Sequence, residues 1–234
     1  MKRESSNSNM TIQAGALKGQ KIRAFVCGHT GATGKELMDI LVASDSVESI
    51  VAVGRRKNEK YENHEKVKQY VVCNMVELGK EDIAIAQGCN AAFCAIGTAF
   101  MDVLMMNKES YRNVDFGIAT EFAKFARKAG AEYLSVITGE GTDTNTSMYM
   151  YKVKHDVENF IQTLGFERIA IMRPGFLHRG KDASWMEFLM LSSFFGTPVV
   201  KVAAAMYWAA LHQKDSVHGY TTKEIKENAT ALGK

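Results

Sequence analysis

The sequence lacks long uncharged apolar segments. Asp102 and Lys201 interrupt its most apolar stretches well before the roughly 18 uncharged residues that a membrane span requires. At the start of the chain, Lys2 and Arg3 are not followed by an apolar segment, so residues 1–20 do not form a secretory signal. We expect a flexible tail over residues 1–20 and a soluble protein without a transmembrane segment.

Cysteine pairs at metal-binding or redox spacing are also missing. The four cysteines show no C-x-x-C spacing, and no paired histidines lie at helical or zinc-type intervals. Cys27, Cys73 and Cys94 fall in predicted strands or at strand ends, where a free cysteine commonly behaves as a small buried hydrophobe. The sequence therefore predicts no metal site and a reduced, intracellular protein.

The charge of the chain is nearly balanced. The 29 basic and 26 acidic residues give a formal net charge of +3, spread in short clusters without a long basic run or interleaved aromatic residues. This pattern does not indicate direct nucleic-acid binding. The 234 residues, 46% of them hydrophobic, have the balance of a globular protein with one core, so we expect a single domain over residues 21–234.

From Lys21 onward, strand-like runs alternate with helical patterns. Such alternation is typical of βαβ units and predicts an α/β fold with a doubly wound parallel sheet of the Rossmann type. The predicted strands are residues 21–28, 49–56, 69–74, 91–97, 131–138 and 167–175. The predicted helices are residues 35–43, 78–86, 111–129 and 147–164.

Beyond about residue 176, the composition becomes rich in aromatic residues and methionine. We expect a small C-terminal helical cap there, packed mainly through its own apolar side chains. A last helix is expected to begin near Thr221, because Thr221 and Glu224 have the spacing of a capping box.

The most informative stretch is FVCGHTGATGKEL, residues 25–37, where three glycines recur at intervals of three between the first strand and the first helix. A turn of this kind brings backbone N–H groups and a helix N-terminus against a pyrophosphate. Gly28 is expected to form the tight turn, Gly31 to let the backbone approach the phosphates, and Gly34 to let the helix pack on the strand. The alternative is a plain strand–turn–helix junction.

Two arginines follow the second strand. In NAD-preferring folds an acidic residue at this point binds the ribose 2′-hydroxyl, whereas an arginine accommodates a 2′-phosphate. Arg55 and Arg56, directly after Gly54, therefore favour NADP(H) over NAD(H) when they are taken together with the glycine turn.

Several motifs together resemble the Tat-interacting oxidoreductase-like proteins, a family of atypical short-chain dehydrogenases/reductases. In chain order, over about residues 21–179, these motifs are FVCGHTGATGKEL, VAVGRRK, QGCNAAFCAIGT, NVD followed by FAKFARKAGAEYL, and IMRPGFL. The resemblance implies a Rossmann domain that binds NADPH and a location in the cytoplasm and the nucleus. It also implies protein partners in nuclear transport or transcription, but it names no small-molecule substrate.

The resemblance further implies a set of cofactor contacts. It places Gly28, Thr30, Gly31, Ala32, Thr33 and Gly34 at the phosphates and Arg55 and Arg56 at the 2′-phosphate. It places Gly97 and Thr98 beside the nicotinamide ribose, and Arg173, Pro174 and Gly175 on the nicotinamide side. Asn74, with Cys73 next to it, takes the place of an aspartate that relatives often have near the adenine.

The catalytic pattern that the resemblance implies is altered in this chain. In such dehydrogenases a tyrosine exchanges the hydroxyl proton, and a lysine four residues later on the same helical face holds the ribose. Alignment of VKHDVE places Lys154 at the lysine, but the residue four before it is Met150, which cannot exchange a proton. Tyr151 lies three residues before Lys154 and can share its face, and Thr138 at the end of the fifth strand is the candidate that orients the carbonyl.

Two functional interpretations stay open. In the first, Tyr151, Lys154 and Thr138 form a shifted acid/base group, and the protein is an NADPH-dependent carbonyl reductase whose substrate the sequence does not name. In the second, Lys154 still binds the cofactor ribose but the proton donor is lost. The protein is then a catalytically weak NADPH-binding sensor or scaffold that regulates transport or transcription partners.

Overall fold

A seven-stranded parallel sheet lies at the centre of the computed structural model, which describes residues 20–98, 105–142, 148–178 and 196–234. Its strands are β1 (Ile22–Cys27), β2 (Val47–Gly54), β3 (Val67–Val71), β4 (Ala91–Cys94), β5 (Tyr133–Ile137), β6 (Arg168–Arg173) and β9 (Val217–Thr221). The strand order β3-β2-β1-β4-β5-β6-β9 is the predicted doubly wound arrangement. Successive strands are added on one side of β1 up to β3 and on its other side from β4 onward. Ligands of such sheets bind outside the carboxyl ends of the strands at this switch point between β1 and β4.

Helices cover the sheet on both faces. They are α1 (Ala32–Ala43), α2 (Lys108–Arg112), α3 (Ala119–Lys128), α4 (Tyr149–Gln162), α5 (Val199–His212) and α6 (Thr222–Ala231). A π-helical turn, Asn113–Ile118, joins α2 to α3. The predicted helices at 35–43, 111–129 and 147–164 are therefore confirmed within a few residues at their ends. No helix of the described residues is long and apolar enough to cross a membrane.

The helix predicted over residues 78–86 is wrong. The structure has two short 3₁₀ helices there, Met75–Lys80 and Ile83–Ala86. Asp82 separates them, and its side chain accepts a hydrogen bond from the Ala84 backbone N–H. Such a local side-chain bond competes with helical hydrogen bonding and favours a turn. The strand predicted over residues 69–74 also ends earlier, at Val71, so Cys73 is exposed rather than buried.

Alternating side chains of the strands build a core on each face of the sheet. In β1, Ala24 and Val26 pack with residues of α1 and α5, whereas Phe25 packs with α3. The ring of Phe25 stacks on Phe122 with centroids 4.8 Å apart. Each such buried ring contributes about 1.5–3 kcal/mol to the free energy of unfolding, so both faces hold β1 firmly in the centre.

The described part of the C-terminal region is built into the sheet. Helix α5 packs on α1, and Val202 and Met206 are buried in the core on that face. Strand β9 pairs in parallel with β6. The sequence analysis expected helices in this region without giving bounds for α5, and it did not predict β9. The helices expected beyond about residue 176 are present as α5 and α6, and residues 179–195 lie outside the described residues.

A short two-stranded parallel sheet, β7 (Leu177–His178) with β8 (Thr197–Pro198), brackets that undescribed stretch. At the other end of the region, the predicted capping box is confirmed. The Thr221 Oγ1 accepts from the Glu224 N–H at 3.3 Å, and Glu224 Oε2 accepts from the Thr221 N–H at 2.8 Å. Helix α6 therefore begins where the sequence pattern placed it.

Replacement of Thr221 by alanine is expected to lower the free energy of unfolding by about 1 kcal/mol, because one side of the capping box is lost. Urea denaturation of the full chain measures this change. The matched control is Thr230→Ala near the other end of α6, where the side chain is exposed, and a change within about 0.5 kcal/mol is expected there. Equal losses in the two variants would contradict the role of the capping box.

Candidate cofactor and catalytic site

The glycine turn between β1 and α1 leaves no room for a side chain at two of its glycines. Gly28 has φ +83°, and a Cβ there would lie 2.6 Å from the Ala95 carbonyl oxygen, just after β4. A Cβ on Gly34 would lie 2.0 Å from the Gly28 carbonyl oxygen. Real Cβ atoms essentially never come closer than 3.0 Å to such neighbours. The turn is therefore tight at Gly28, and α1 packs directly on it at Gly34.

The middle of the turn faces solvent. Gly31 is exposed, and its N–H donates to the Gly28 carbonyl at 2.9 Å. Helix α1 begins directly after it at Ala32, with no acidic side chain in its first turn. Thr30 is half-buried and Thr33 is buried on either side of this point. The positive end of the α1 dipole is thus exposed and free of carboxylates, which suits it to an anionic group such as a phosphate.

A basic cleft of about 380 Å³ opens beside the turn. It is lined by Thr30, Lys35, Arg56, Lys57, Asn58, Glu59 and Lys60. Four of the lining side chains are cationic and only one is acidic. Lys60 already pairs with Asp39. Among the residues that the structure describes, Arg55 and Arg56 form no ion pair with an acidic side chain, and of the two only Arg56 lines the cleft. Lys57 also pairs with Glu62 at 3.9 Å. The cleft lining still has more cationic than acidic side chains, which favours an anionic ligand.

The other predicted cofactor contacts lie beyond the carboxyl ends of β3 and β4. Asn74 is exposed and precedes the 3₁₀ helix Met75–Lys80. Gly97 is exposed just after β4. Thr98 is half-buried, and both its N–H, at 3.1 Å, and its hydroxyl donate to Asp115 Oδ2. The backbone of Gly97 is therefore open to a ligand, whereas the hydroxyl of Thr98 is already bonded.

Arg173, at the end of β6, belongs to a buried network rather than to an open surface. Its Nη2 lies 2.6 Å from Glu158 Oε2, and its Nε donates to Oε1 at 3.1 Å. The Glu158 side chain is only 3% exposed. Pro174 and Gly175 bond through their backbone: the Pro174 carbonyl accepts from Glu140 N–H, and the Gly175 N–H donates to Thr222 Oγ1 at 2.8 Å.

Thr138, the candidate for orienting a substrate carbonyl, is part of the same network. It is buried, and its hydroxyl donates to Glu158 Oε1 at 2.6 Å. The hydroxyl of Thr142 donates to the same oxygen at 2.7 Å. The proton of Thr138 is therefore committed to Glu158 in this structure, and the network ties β5 and β6 to α4.

Lys154 pairs with Asp115 at the centre of the candidate catalytic site. The Lys154 Nζ lies 3.0 Å from Asp115 Oδ1, and the two side chains are 12% and 2% exposed. Asp115 lies in the π-helical turn, and such turns occur frequently at functional sites. Tyr151 is half-buried one turn before Lys154, and within the described ranges its hydroxyl has no hydrogen-bond partner.

A second phenol meets the same carboxylate. The Tyr111 hydroxyl donates to Asp115 Oδ1 at 3.3 Å and lies 3.5 Å from the backbone carbonyl of Met150. Burial and then the charge of Asp115 raise the pKa of Tyr111 well above its usual range. Tyr111 therefore keeps its proton and stabilises the carboxylate, and at 1% exposure it does not reach a substrate.

The sequence analysis gave no role to Tyr111, Asp115 or Glu158. The available signal was their spacing, since Tyr111 and Asp115, like Lys154 and Glu158, are four residues apart on helical segments. Within the described ranges, no group of three histidine, cysteine, aspartate or glutamate side chains could hold a metal ion.

Comparison of the sequence with curated proteins finds relatives that include proteins named FMP52 and HTATIP2. Protein FMP52, mitochondrial, of Debaryomyces hansenii is 30% identical over 154 residues, which is 66% of this chain and 66% of that protein, just under two thirds. Protein HTATIP2 of Rattus norvegicus is 28% identical over 204 residues, which is 81% of each chain. No protein-family model matches the chain. The resemblance to the Tat-interacting oxidoreductase-like proteins is thus confirmed by these homologues.

Solved structures with the same fold include an oxidoreductase and a protein in complex with NAD. The oxidoreductase ylbE of Lactococcus lactis is 20% identical with a TM-score of 0.64, over 90% of this chain and 96% of that one. MoeE5 in complex with UDP-glucose and NAD is 12% identical with a TM-score of 0.64, over 90% of this chain and 81% of that one. At these identities the likeness shows the fold.

Substitution of Asp115 by asparagine is expected to lower the free energy of unfolding by about 2–3 kcal/mol, because it leaves the mostly buried Lys154 ammonium without its counter-charge. Urea denaturation checks this value. The control is Asp156→Asn, whose partner Arg112 lies 2.7 Å away in an exposed pair, and where a loss below about 1 kcal/mol is expected. A loss at Asp115 no larger than that at Asp156 would contradict the buried pair.

Proposed function

We propose that this chain, a homologue of HTATIP2 and FMP52, is an NADP(H)-binding oxidoreductase-like protein that prefers NADPH to NADH. The observation that carries the proposal is the basic cleft beside the glycine turn. A phosphate monoester carries a charge of about −1.5 to −2 at pH 7, and the cleft has three more cationic than anionic side chains. Arg56 is the cation best placed for this group, because it lines the cleft and has no acidic partner among the described residues.

With the 2′-phosphate in the cleft, the remaining parts of the cofactor lie across the carboxyl ends of the strands. The pyrophosphate binds the backbone of Gly31 and the start of α1, and the adenine lies toward Asn74. The nicotinamide ribose lies beside Gly97 and Lys154. The nicotinamide then extends toward the segment Arg173–Gly175, where the network with Glu158 keeps the Arg173 guanidinium fixed.

As a carbonyl reductase, the protein converts a carbonyl compound, NADPH and a proton into an alcohol and NADP⁺. Bound NADPH supplies the hydride that the carbonyl carbon receives. Tyr151 donates the proton to the carbonyl oxygen, since its half-buried hydroxyl is not bonded to another described residue. Lys154 holds the ribose and places a positive charge near the phenol. For Thr138 to orient the carbonyl, its hydroxyl has to leave Glu158.

A specific observation also supports the second interpretation, a sensor or scaffold. Met150 replaces the tyrosine of the expected pattern, and Lys154 is bonded to Asp115. Lys154 can then bind the cofactor ribose although no side chain donates a proton to a substrate. Partners in nuclear transport or transcription stay a prediction from the resemblance. A location in the cytoplasm and nucleus also stays a prediction, since the name of the relative FMP52 places that protein in mitochondria.

The double variant Arg55→Ala/Arg56→Ala is expected to weaken NADPH binding by about tenfold to a hundredfold, because charge-assisted contacts to a phosphate are lost. NADH binding should stay within about twofold, since NADH lacks the 2′-phosphate. Fluorescence titration of both cofactors measures the two dissociation constants. The single variants locate the effect, and Arg56→Ala should account for most of it because Arg56 lines the cleft.

A matched control for that variant removes the same two charges elsewhere. Lys128 and Lys226 are exposed on α3 and α6, and Lys128→Ala/Lys226→Ala should leave both dissociation constants unchanged. An equal loss of NADPH and NADH binding in the arginine variant would remove the assignment of the 2′-phosphate site.

Tyr151→Phe is expected to abolish NADPH consumption against a panel of aldehydes and ketones while leaving the NADPH dissociation constant unchanged. The physical reason is that phenylalanine cannot donate a proton. Tyr149→Phe is the control, because the Tyr149 hydroxyl bonds the Lys108 carbonyl at 3.2 Å and has no proposed catalytic role. NADPH binding without consumption by the unaltered protein would favour the sensor, and unchanged turnover in Tyr151→Phe would exclude this tyrosine as the donor.

A further inference from the structure

His29 lies in the glycine turn, but its side chain is buried against the end of β2. The residue is 1% exposed. A Cβ on Gly54 would lie 2.9 Å from His29 Cε1 and 3.3 Å from its Nδ1. Gly54 does not have a positive φ, so its backbone conformation does not demand glycine. The imidazole itself occupies the space in which a side chain at position 54 would lie.

The ring nitrogens of the imidazole contribute no hydrogen bonds to the stability of the described part of the fold. Within the described ranges, neither ring nitrogen has a hydrogen-bond partner. Burial lowers the pKa of His29 and outweighs the backbone of Val53 and of Arg56, which act in the opposite direction without reaching hydrogen-bond geometry. The ring is therefore neutral near pH 7. An unpartnered buried polar ring costs stability, so stability alone does not explain a histidine here.

The position of His29 connects two elements that bind different phosphates in the proposed function. On one side, His29 is flanked by Gly28 and Thr30 of the turn that faces the pyrophosphate. On the other side, its ring packs against the backbone of Gly54, two residues before Arg56 in the basic cleft. The ring therefore packs between the turn and the backbone that carries Arg56, just beyond Cys27 and Val53, the last paired residues of β1 and β2.

We propose that His29 is a positioning residue for the 2′-phosphate of NADP(H): its imidazole holds the end of β2 at the distance from the glycine turn at which Arg56 reaches that phosphate. This inference rests on the proposed NADP(H) function. The distance between the two elements matters only for a ligand that binds both of them at once. NADH lacks the 2′-phosphate that Arg56 contacts, so its affinity does not depend on where the ring places Arg56.

The test compares NADPH and NADH dissociation constants for the full chain and four variants: His29→Ala, Gly54→Ala, the double variant, and Val202→Ala. His29→Ala should weaken NADPH about tenfold and leave NADH within about twofold, because only the contact of Arg56 with the 2′-phosphate is misplaced. Gly54→Ala should have the same selective effect from the other side, since its methyl group pushes the ring. In the double variant the methyl group occupies space that the ring has left, so the two losses should not multiply.

The control and the possible results separate this inference from a simple loss of stability. Val202 is buried in α5 on the face of the sheet that packs with α1, and Val202→Ala should destabilise the fold without changing the ratio of the two dissociation constants. An unchanged ratio in His29→Ala, or losses that multiply in the double variant, would overturn the role of His29. If His29→Ala does not fold, the two dissociation constants are measured for His29→Asn instead. A wild-type chain without preference for NADPH would instead overturn the proposed function, and the inference with it.

Discussion

The backbone contact between Gly28 and Gly34 is the constraint on which the cofactor half of the structure depends. Because no Cβ fits at either glycine, the end of β1, the segment after β4 and the start of α1 meet at one point. The strand order places this point at the switch between β1 and β4, with the end of β2 on one side and the end of β4 on the other. The exposed middle of the glycine turn, the basic cleft and the residues after β4 therefore all have their positions set by one tight turn.

The two halves of the candidate site differ in how their charges are balanced. On the β2 side, the cleft is open and has an excess of cations. Lys60 and Lys57 are in exposed pairs with Asp39 and Glu62, whereas Arg56 has no acidic partner among the described residues and can form a charge-assisted contact with an anion. On the β5 and β6 side, Lys154 pairs with Asp115 and Arg173 with Glu158, all largely buried. These pairs already satisfy each other. In the proposed function, the cofactor phosphate thus meets Arg56, which is unpaired among the described residues, whereas catalysis takes place among charges that are already engaged.

The sequence was sufficient for features set by local pattern. The glycine turn, six of the strands, and the capping box of Thr221 and Glu224 follow from neighbouring residues, and the structure has all of them. The missed strand β9 is short and lies at the edge of the sheet, where its pairing with β6 depends on distant residues. The network of Glu158 with Arg173 and Thr138 joins segments 15 and 20 residues apart, so only the packed fold brings it together.

Lys154 illustrates why a retained lysine is weak evidence for retained chemistry. A mostly buried ammonium requires a counter-charge whether or not it takes part in a reaction. In this chain Asp115 supplies it, and Asp115 in turn is bonded by Thr98 and by Tyr111, whose hydroxyl lies beside the Met150 backbone. Charge balance alone therefore accounts for the position of Lys154. What distinguishes a reductase from a sensor is whether the hydroxyl of Tyr151 reaches a substrate, because Tyr111, the phenol bonded to Asp115, is buried and has a raised pKa.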